Sequence, residues 1–137
     1  MIADGFYEWQ HEKKKAYPYH IRLVNRDSFA IAGVWDTWIN PDNKQEIRRF
    51  SVITTVANPL LEKVHNTRKR MPVILRREDE QKWLSSETDT EQITFLLSPY
   101  DDNEMDAYTV SPLISRRGQN TNTPEVMEKY RYKGLED

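Results

Sequence analysis

The chain contains no cysteine among its 137 residues. That absence excludes disulfide bonds, thiolate zinc sites and a cysteine nucleophile from this sequence. The sequence also lacks any apolar run approaching the roughly 20 residues needed to span a bilayer, and its start lacks the basic and apolar regions of a signal peptide. We therefore expect no membrane partner, and the simplest interpretation is a cytoplasmic protein.

Neither sign of charge is in excess, because 20 Lys and Arg residues face 22 Asp and Glu residues, for a net charge of −2. This balance predicts no global attraction to nucleic acid or to anionic membranes, although a local basic patch can still exist. The three histidines, His11, His20 and His65, include no pair at the i, i+4 spacing of a helical zinc site. We expect no metal and no cofactor.

The residues that are present predict one domain spanning 1–137, with a charged tail over 126–137. Short segments rich in β-branched and aromatic residues alternate with polar turns, and few stretches suit a helix. This pattern predicts an α+β fold dominated by strands, with a mixed or antiparallel sheet.

Four segments read as strands. Residues 16–24 alternate in polarity, and the turn residues "NRDS" separate them from 29–39, so these two segments are predicted to form a hairpin. Residues 48–57 are the strongest strand candidate and are expected to lie centrally. Residues 92–98, "QITFLLS", also favour a strand.

Two segments read as helices. Residues 58–65 open with Asn58 as a plausible N-cap and Pro59 at the first helical position, which is common helix-start chemistry. Residues 77–84 carry acidic side chains in their first turn, which favours a second helix.

Three basic stretches stand out in this otherwise balanced chain. The lysines within 11–17 are typical of a solvated hairpin tip, whereas 65–72 places basic residues beside the apolar "MPVIL" and 115–124 joins adjacent arginines to Gly and Asn. The last two stretches are candidate nucleic-acid loops. Their candidate contacts to phosphate or base are Arg68, Lys69, Arg70, Arg116, Arg117 and Asn120.

Further candidates lie beside these loops. Single-strand sites combine positive charge with aromatic platforms, and Trp9 is the tryptophan we favour for stacking, although a strand tryptophan is more often part of a core. Pro72 would set a rigid turn that aims Arg70 outward. His65 ends the first predicted helix, where its ring could reach a cleft and carry protons, while His11 and His20 read as structural or exposed.

Several fragments occur together in one order: "ADGFYEW" near the start, "AGVW", "SVITTVAN", a histidine followed by "RMPVIL", "VS" and "NTPE". Together they resemble the SRAP family, the SOS response-associated peptidase proteins that shield abasic sites in single-stranded DNA. The resemblance implies a SRAP fold, which can be barrel-like, and single-stranded DNA with abasic sites as partner. It also implies that the chain corresponds to a C-terminal portion of such a protein.

In the family, a cysteine after the initiator methionine attacks the ring-opened abasic aldehyde, and its amine and thiol close a thiazolidine. The resemblance implies that Glu8 and His65 match the carboxylate and histidine that handle protons in this chemistry. Two departures are visible: the cysteine is missing, and "NTRK" separates His65 from Arg70, where many relatives hold these residues almost adjacent.

Three function hypotheses therefore stay open. The first is abasic-site sensing and shielding by a SRAP-type protein, of which this chain would supply DNA binding. The second is a single-stranded DNA-binding module without chemistry. The third is a cysteine-dependent peptidase or autopeptidase in a longer form, so the sequence leaves open whether the chain is an enzyme. A monomer is expected.

Overall fold

The computed structural model describes residues 1–135. Ten strands occur in them: β1 (Ile2–Ala3), β2 (Phe6–Glu12), β3 (Lys15–Leu23), β4 (Phe29–Ile31), β5 (Gly33–Ile39), β6 (Glu46–Val52), β7 (Thr54–Val56), β8 (Arg70–Pro72), β9 (Ile74–Leu75) and β10 (Met105–Thr109). The three α-helices are α1 (Pro59–Val64), α2 (Glu80–Leu84) and α3 (Thr90–Leu96). Short 3-10 turns cover Arg77–Asp79, Asp102–Glu104, Pro112–Ser115 and Pro124–Met127.

The strands form open antiparallel groups. One sheet has the order β1-β4-β9 and another the order β10-β3-β2, while β5 pairs with β6 and β7 pairs with β8. The α+β, strand-dominated class is therefore confirmed, with antiparallel rather than mixed sheets. Among residues 1–135 the strands close no barrel.

The main core lies between the β10-β3-β2 sheet, helix α1 and strands β4, β8 and β9. Its fully buried members include Ile21, Phe29, Leu61 and Met71. Helix α1 begins as predicted, because the Asn58 side chain accepts a hydrogen bond of 2.9 Å from the Leu61 amide and Pro59 follows it. Asn58 is buried and also donates to the carbonyl of Tyr100, which fixes the start of α1 to the core.

The predicted hairpin between 16–24 and 29–39 is wrong. Strand β3 pairs instead with β2 and β10, and β4 pairs with β1 and β9. The turn that follows β2 is the lysine tip, where Lys13 adopts a φ of 53°. Residues 16–24 do form most of a strand, but periodicity within one strand does not identify its partners.

Residues 48–57 do form strands, over most of their length, but the predicted central position is wrong. The segment divides at Ile53, whose amide donates to the carbonyl of Ala32 while its carbonyl accepts from Val73. Strand β6 then forms a two-stranded ribbon with β5, and every residue of β6 is exposed. The cross-strand pair Trp35 and Phe50 leaves 74% and 70% of its surface exposed.

Residues 92–96 belong to helix α3, and 97–98 follow its end, so the predicted strand at 92–98 is wrong. Asp89 accepts from the Gln92 amide at 2.8 Å, and the Gln92 side chain accepts from the Asp89 amide. This capping box decides the local structure over the β-forming "ITF" that follows. The second predicted helix is confirmed as a 3-10 turn that leads into α2.

Candidate active site and nucleic-acid interface

Strand β2 lies at the edge of its sheet, and its alternation sorts the candidate residues onto two faces. Glu8 is paired with Tyr19 of β3, and Trp9 is paired with Pro18. The two neighbours "EW" therefore point to opposite faces. Each face meets a different basic loop.

On the Glu8 face, helix α1 ends at His65, whose amide closes the last turn on the carbonyl of Leu61. The His65 Nδ1 lies 2.9 Å from the carbonyl oxygen of Arg70. Because a carbonyl can only accept, Nδ1 carries the proton in this geometry, and neutral His65 has its lone pair on Nε2. Nε2 is thereby available to take up a proton.

The Glu8 Oε1 lies 3.8 Å from the His65 Nδ1. Their side chains are 25% and 17% exposed, so a ligand can reach both groups while each is partly shielded from water. A carboxylate and an imidazole at this separation can serve as two proton carriers for one ligand. The structure thus brings together the two residues predicted to be catalytic.

Asn66 holds this arrangement in place, and no sequence motif pointed to it. Its Oδ1 accepts from the His11 amide at 3.0 Å, and its Nδ2 donates to the His11 carbonyl at 2.8 Å. The side chain therefore pairs with the free backbone edge of β2 as another strand would. Asn66 is the first of the extra residues after His65. The sequence could not predict its role, because its partner is a backbone group 55 residues away.

The first basic loop follows Asn66. Arg68, Lys69 and Arg70 are exposed, and Lys69 adopts a φ of 48° and pairs with Glu62 at 3.7 Å. Arg70 opens β8 and gives His65 its carbonyl acceptor. Pro72 ends β8 opposite Thr54, so it lies within a ladder rather than in the predicted turn.

The second basic loop lies on the Trp9 side. The Trp9 Nε1 donates to the Ser115 hydroxyl at 3.1 Å, and the exposed residues Arg116 and Arg117 follow directly. Asn120 accepts from the Asn122 amide at 3.0 Å within its own loop. Strand β2 thus lies between two arginine-bearing loops, which suits an anionic chain crossing its edge.

The other histidines have structural environments, as expected. His20 is buried, its Nδ1 lies 3.1 Å from the Tyr108 hydroxyl, and its ring lies against Tyr7. Burial lowers the pKa of His20 below its usual value, although Asp4 opposes that effect. His11 is exposed and its ring bonds the carbonyl of Trp9 at 3.2 Å.

The part of the chain that is described, residues 1–135, contains no group of three or more His, Asp or Glu side chains placed to hold a metal ion. The same residues include no helix long and apolar enough to cross a membrane.

Comparison with known proteins identifies the family of this chain. The family model described as "SOS response associated peptidase (SRAP)" matches residues 1–117, which include Glu8, His65 and Arg70. The chain belongs to the SRAP family. The resemblance indicated by its motifs is therefore confirmed over most of its length.

The SRAP relatives include abasic site processing protein YoqW of Bacillus subtilis, 38% identical over 130 residues that cover 93% of this chain and 55% of the relative. Abasic site processing protein HMCES of Xenopus tropicalis is 27% identical, over a match that covers 93% of this chain and 42% of the relative. A crystal structure of a protein from Bacteroides thetaiotaomicron superposes with a TM-score of 0.89 at 34% identity, covering 95% of this chain and 55% of that one. The chain spans about half the length of these relatives.

Proposed function

We propose that this SRAP chain binds single-stranded DNA at abasic sites and supplies the proton-transfer pair for their processing. The observation that carries the proposal is the 3.8 Å approach of Glu8 to His65 at the edge of β2. Relatives of the chain are named abasic site processing proteins, which supports DNA with abasic sites as the substrate.

The roles of the pair follow from abasic-site chemistry. A ring-opened abasic sugar presents an aldehyde, and attack by an amine requires a proton donor for the departing hydroxyl and a base for the amine. In the proposal Glu8 and His65 divide these tasks, with His65 using Nε2 because Nδ1 is bonded to Arg70. The attacking amine and the thiol that closes the ring are supplied by neither Glu8 nor His65.

Binding would come from the loops on either side of β2. Arg68, Lys69, Arg70, Arg116 and Arg117 are exposed and would contact phosphates. Trp9 is partly buried and tied to Ser115, so it would position the second loop as well as offering a ring edge. A flexible single strand can follow both loops, whereas a rigid duplex cannot bend over a narrow strand edge at low cost.

These 137 residues contain no thiol, so we propose that they bind and do not form a thiazolidine crosslink themselves. We also propose that the chain acts as a monomer in the cytoplasm. A cysteine-dependent peptidase role would need a thiol that this sequence does not supply.

Fluorescence anisotropy with three labelled DNAs tests the proposal: a single strand with a tetrahydrofuran abasic analogue, the intact single strand and its duplex. We expect both single strands to bind more tightly than the duplex, with affinity falling steeply as salt rises. Preference for duplex, or no binding at low salt by folded protein, would contradict it. A natural abasic strand should leave no stable adduct on a denaturing gel.

A further inference from the structure

The segment expected to be a charged tail is docked on the sheet. The Tyr130 amide donates to the Thr109 carbonyl at 2.9 Å, and the Thr109 hydroxyl donates to the Tyr130 carbonyl at 2.7 Å. Val110 and Lys129 form an antiparallel bridge beside them. Residues 129–130 therefore extend the β10-β3-β2 sheet beyond β10, while residues 136–137 of the expected tail lie outside the described residues.

This docking places Tyr130 in line with the candidate active site. Glu8 is paired with Tyr19, Tyr19 is paired with Thr109, and Tyr130 bonds Thr109. Directly paired residues of an antiparallel sheet project from the same face, so all four belong to one row. Three strand spacings separate the two ends of the row by about 14 Å.

Tyr130, at the far end of the row, is exposed, and its ring lies against that of Tyr132. Tyr132 donates its hydroxyl to the Val110 carbonyl at 2.8 Å and packs edge-on against the buried Tyr17, with ring centres 5.0 Å apart. The Tyr130 ring lies 4.7 Å from that of Tyr132, yet Tyr130 keeps 45% of its surface exposed. The fixed neighbour limits the freedom of the Tyr130 ring, which lowers the entropic cost of stacking a ligand on it.

A cleft of about 450 Å³ opens beside these rings. Tyr19, Thr109, Tyr130 and Tyr132 line it together with the cationic Lys129 and Arg131. The Lys129 ammonium also lies 4.9 Å from the centre of the Tyr108 ring, which keeps positive charge at the rim. The volume suits a small ligand, and rings with cations are the combination that binds single-stranded nucleic acid.

We propose that this cleft is a nucleobase-stacking subsite for single-stranded DNA, with Tyr130 as its platform. The inference rests on the proposed function, since the row leads from the Glu8 and His65 pair to the cleft. A strand with its abasic sugar at Glu8 would run along the row and stack a flanking base on Tyr130.

Three variants test the subsite by anisotropy with an abasic single strand at low salt. Tyr130→Ala should weaken binding roughly 5-fold or more, as expected for losing one base-aromatic stack, while Tyr130→Phe keeps the ring and should bind like the parent. Phe95→Ala, which removes a 79% exposed ring from α3, is the matched control and should change nothing. Parental affinity in Tyr130→Ala would overturn the subsite while leaving the proposed function intact.

Photocrosslinking gives a second readout. A 5-iodouracil placed at successive positions flanking the abasic analogue should crosslink to a peptide containing Tyr130 at one position, and that crosslink should disappear in Tyr130→Ala. Crosslinks that fall only on other peptides would overturn the subsite. Failure of the parent chain to bind any single strand would overturn the subsite and the proposed function together.

Discussion

The Glu8 carboxylate lies 3.8 Å from the His65 Nδ1, and that nitrogen also lies 2.9 Å from the carbonyl oxygen of Arg70. The carbonyl accepts the hydrogen bond of Nδ1–H and so fixes the imidazole tautomer. A proton can therefore be taken up at Nε2 without breaking the bond that orients the ring. The relationship places the Glu8 and His65 side chains within reach of one ligand at the edge of β2.

The first prediction concerns the carboxylate. In a SRAP protein that carries this segment together with the cysteine, Glu8→Gln should slow crosslinking to abasic DNA by about 10²- to 10⁴-fold, because glutamine cannot transfer a proton. DNA affinity should change little. Single-turnover crosslinking on denaturing gels measures the rate, and Glu12→Gln on the same strand is the control. Crosslinking at the parent rate by the folded Glu8 variant would make Glu8 a structural residue.

The second prediction concerns the anchor of the His65 loop. Asn66→Ala removes two hydrogen bonds to His11, so hydrogen exchange of the His11 amide should accelerate and affinity for the abasic strand should fall. Thr67→Ala, in the same exposed turn, is the control and should leave both unchanged. Unaltered exchange at His11 in the Asn66 variant would show that the loop does not need this anchor.

The third prediction concerns phosphate binding. Arg70→Ala should weaken binding to single strands of every sequence alike and reduce the slope of log affinity against log salt by about 0.7, the value for one phosphate contact. Arg48→Ala removes the same charge from the exposed β6 strand and should leave the slope unchanged. Equal slopes in the parent and both variants would remove Arg70 from the DNA interface.

The fourth prediction concerns pH and stability. The pKa of His20 is lowered by burial in the fold, so the unfolded chain binds its proton more readily than the folded chain does. Above a pH of about 6.5, the ordinary pKa of histidine, His20 is neutral in both states and the folded chain keeps its full stability. As the pH falls toward the lowered pKa, the unfolded chain takes up the proton first, and the free energy of unfolding decreases. Asp4 and Asp106 act to raise the pKa of His20, whereas Arg22 acts to lower it.

Urea unfolding across that range should therefore show a loss of stability on acidification that is smaller in His20→Gln than in the parent. His11→Gln changes an exposed histidine and should keep the parental pH dependence. An identical pH dependence in the His20 variant would contradict the assignment.

Local chemistry made part of this structure predictable. Asn58 and Pro59 specified the start of α1 because a cap acts within one turn. Glu8 and His65 became candidates through motifs and their order, since no local rule brings residues of a strand and a helix end together.

What failed depended on distant partners. Residues 48–57 have a strong strand composition, yet β6 is exposed, because composition does not say whether a strand has two neighbours or one. The roles of Asn66 and of Tyr130 depend on backbone groups of β2 and β10, which no sequence pattern near them reveals. Trp9 also lies on the face opposite Glu8, because adjacent strand residues alternate between faces. The family motifs by themselves do not show this.

The most direct test of the central claim is the imidazole nitrogen spectrum of the chain with and without an abasic single strand. Only three histidines contribute signals, and His65→Gln assigns the relevant one. Free protein should show His65 protonated at Nδ1, and bound DNA should shift its Nε2 signal while that of the buried His20 stays in place. If anisotropy shows that the strand binds and the His65 signals do not move, the Glu8 and His65 pair does not bind the abasic site.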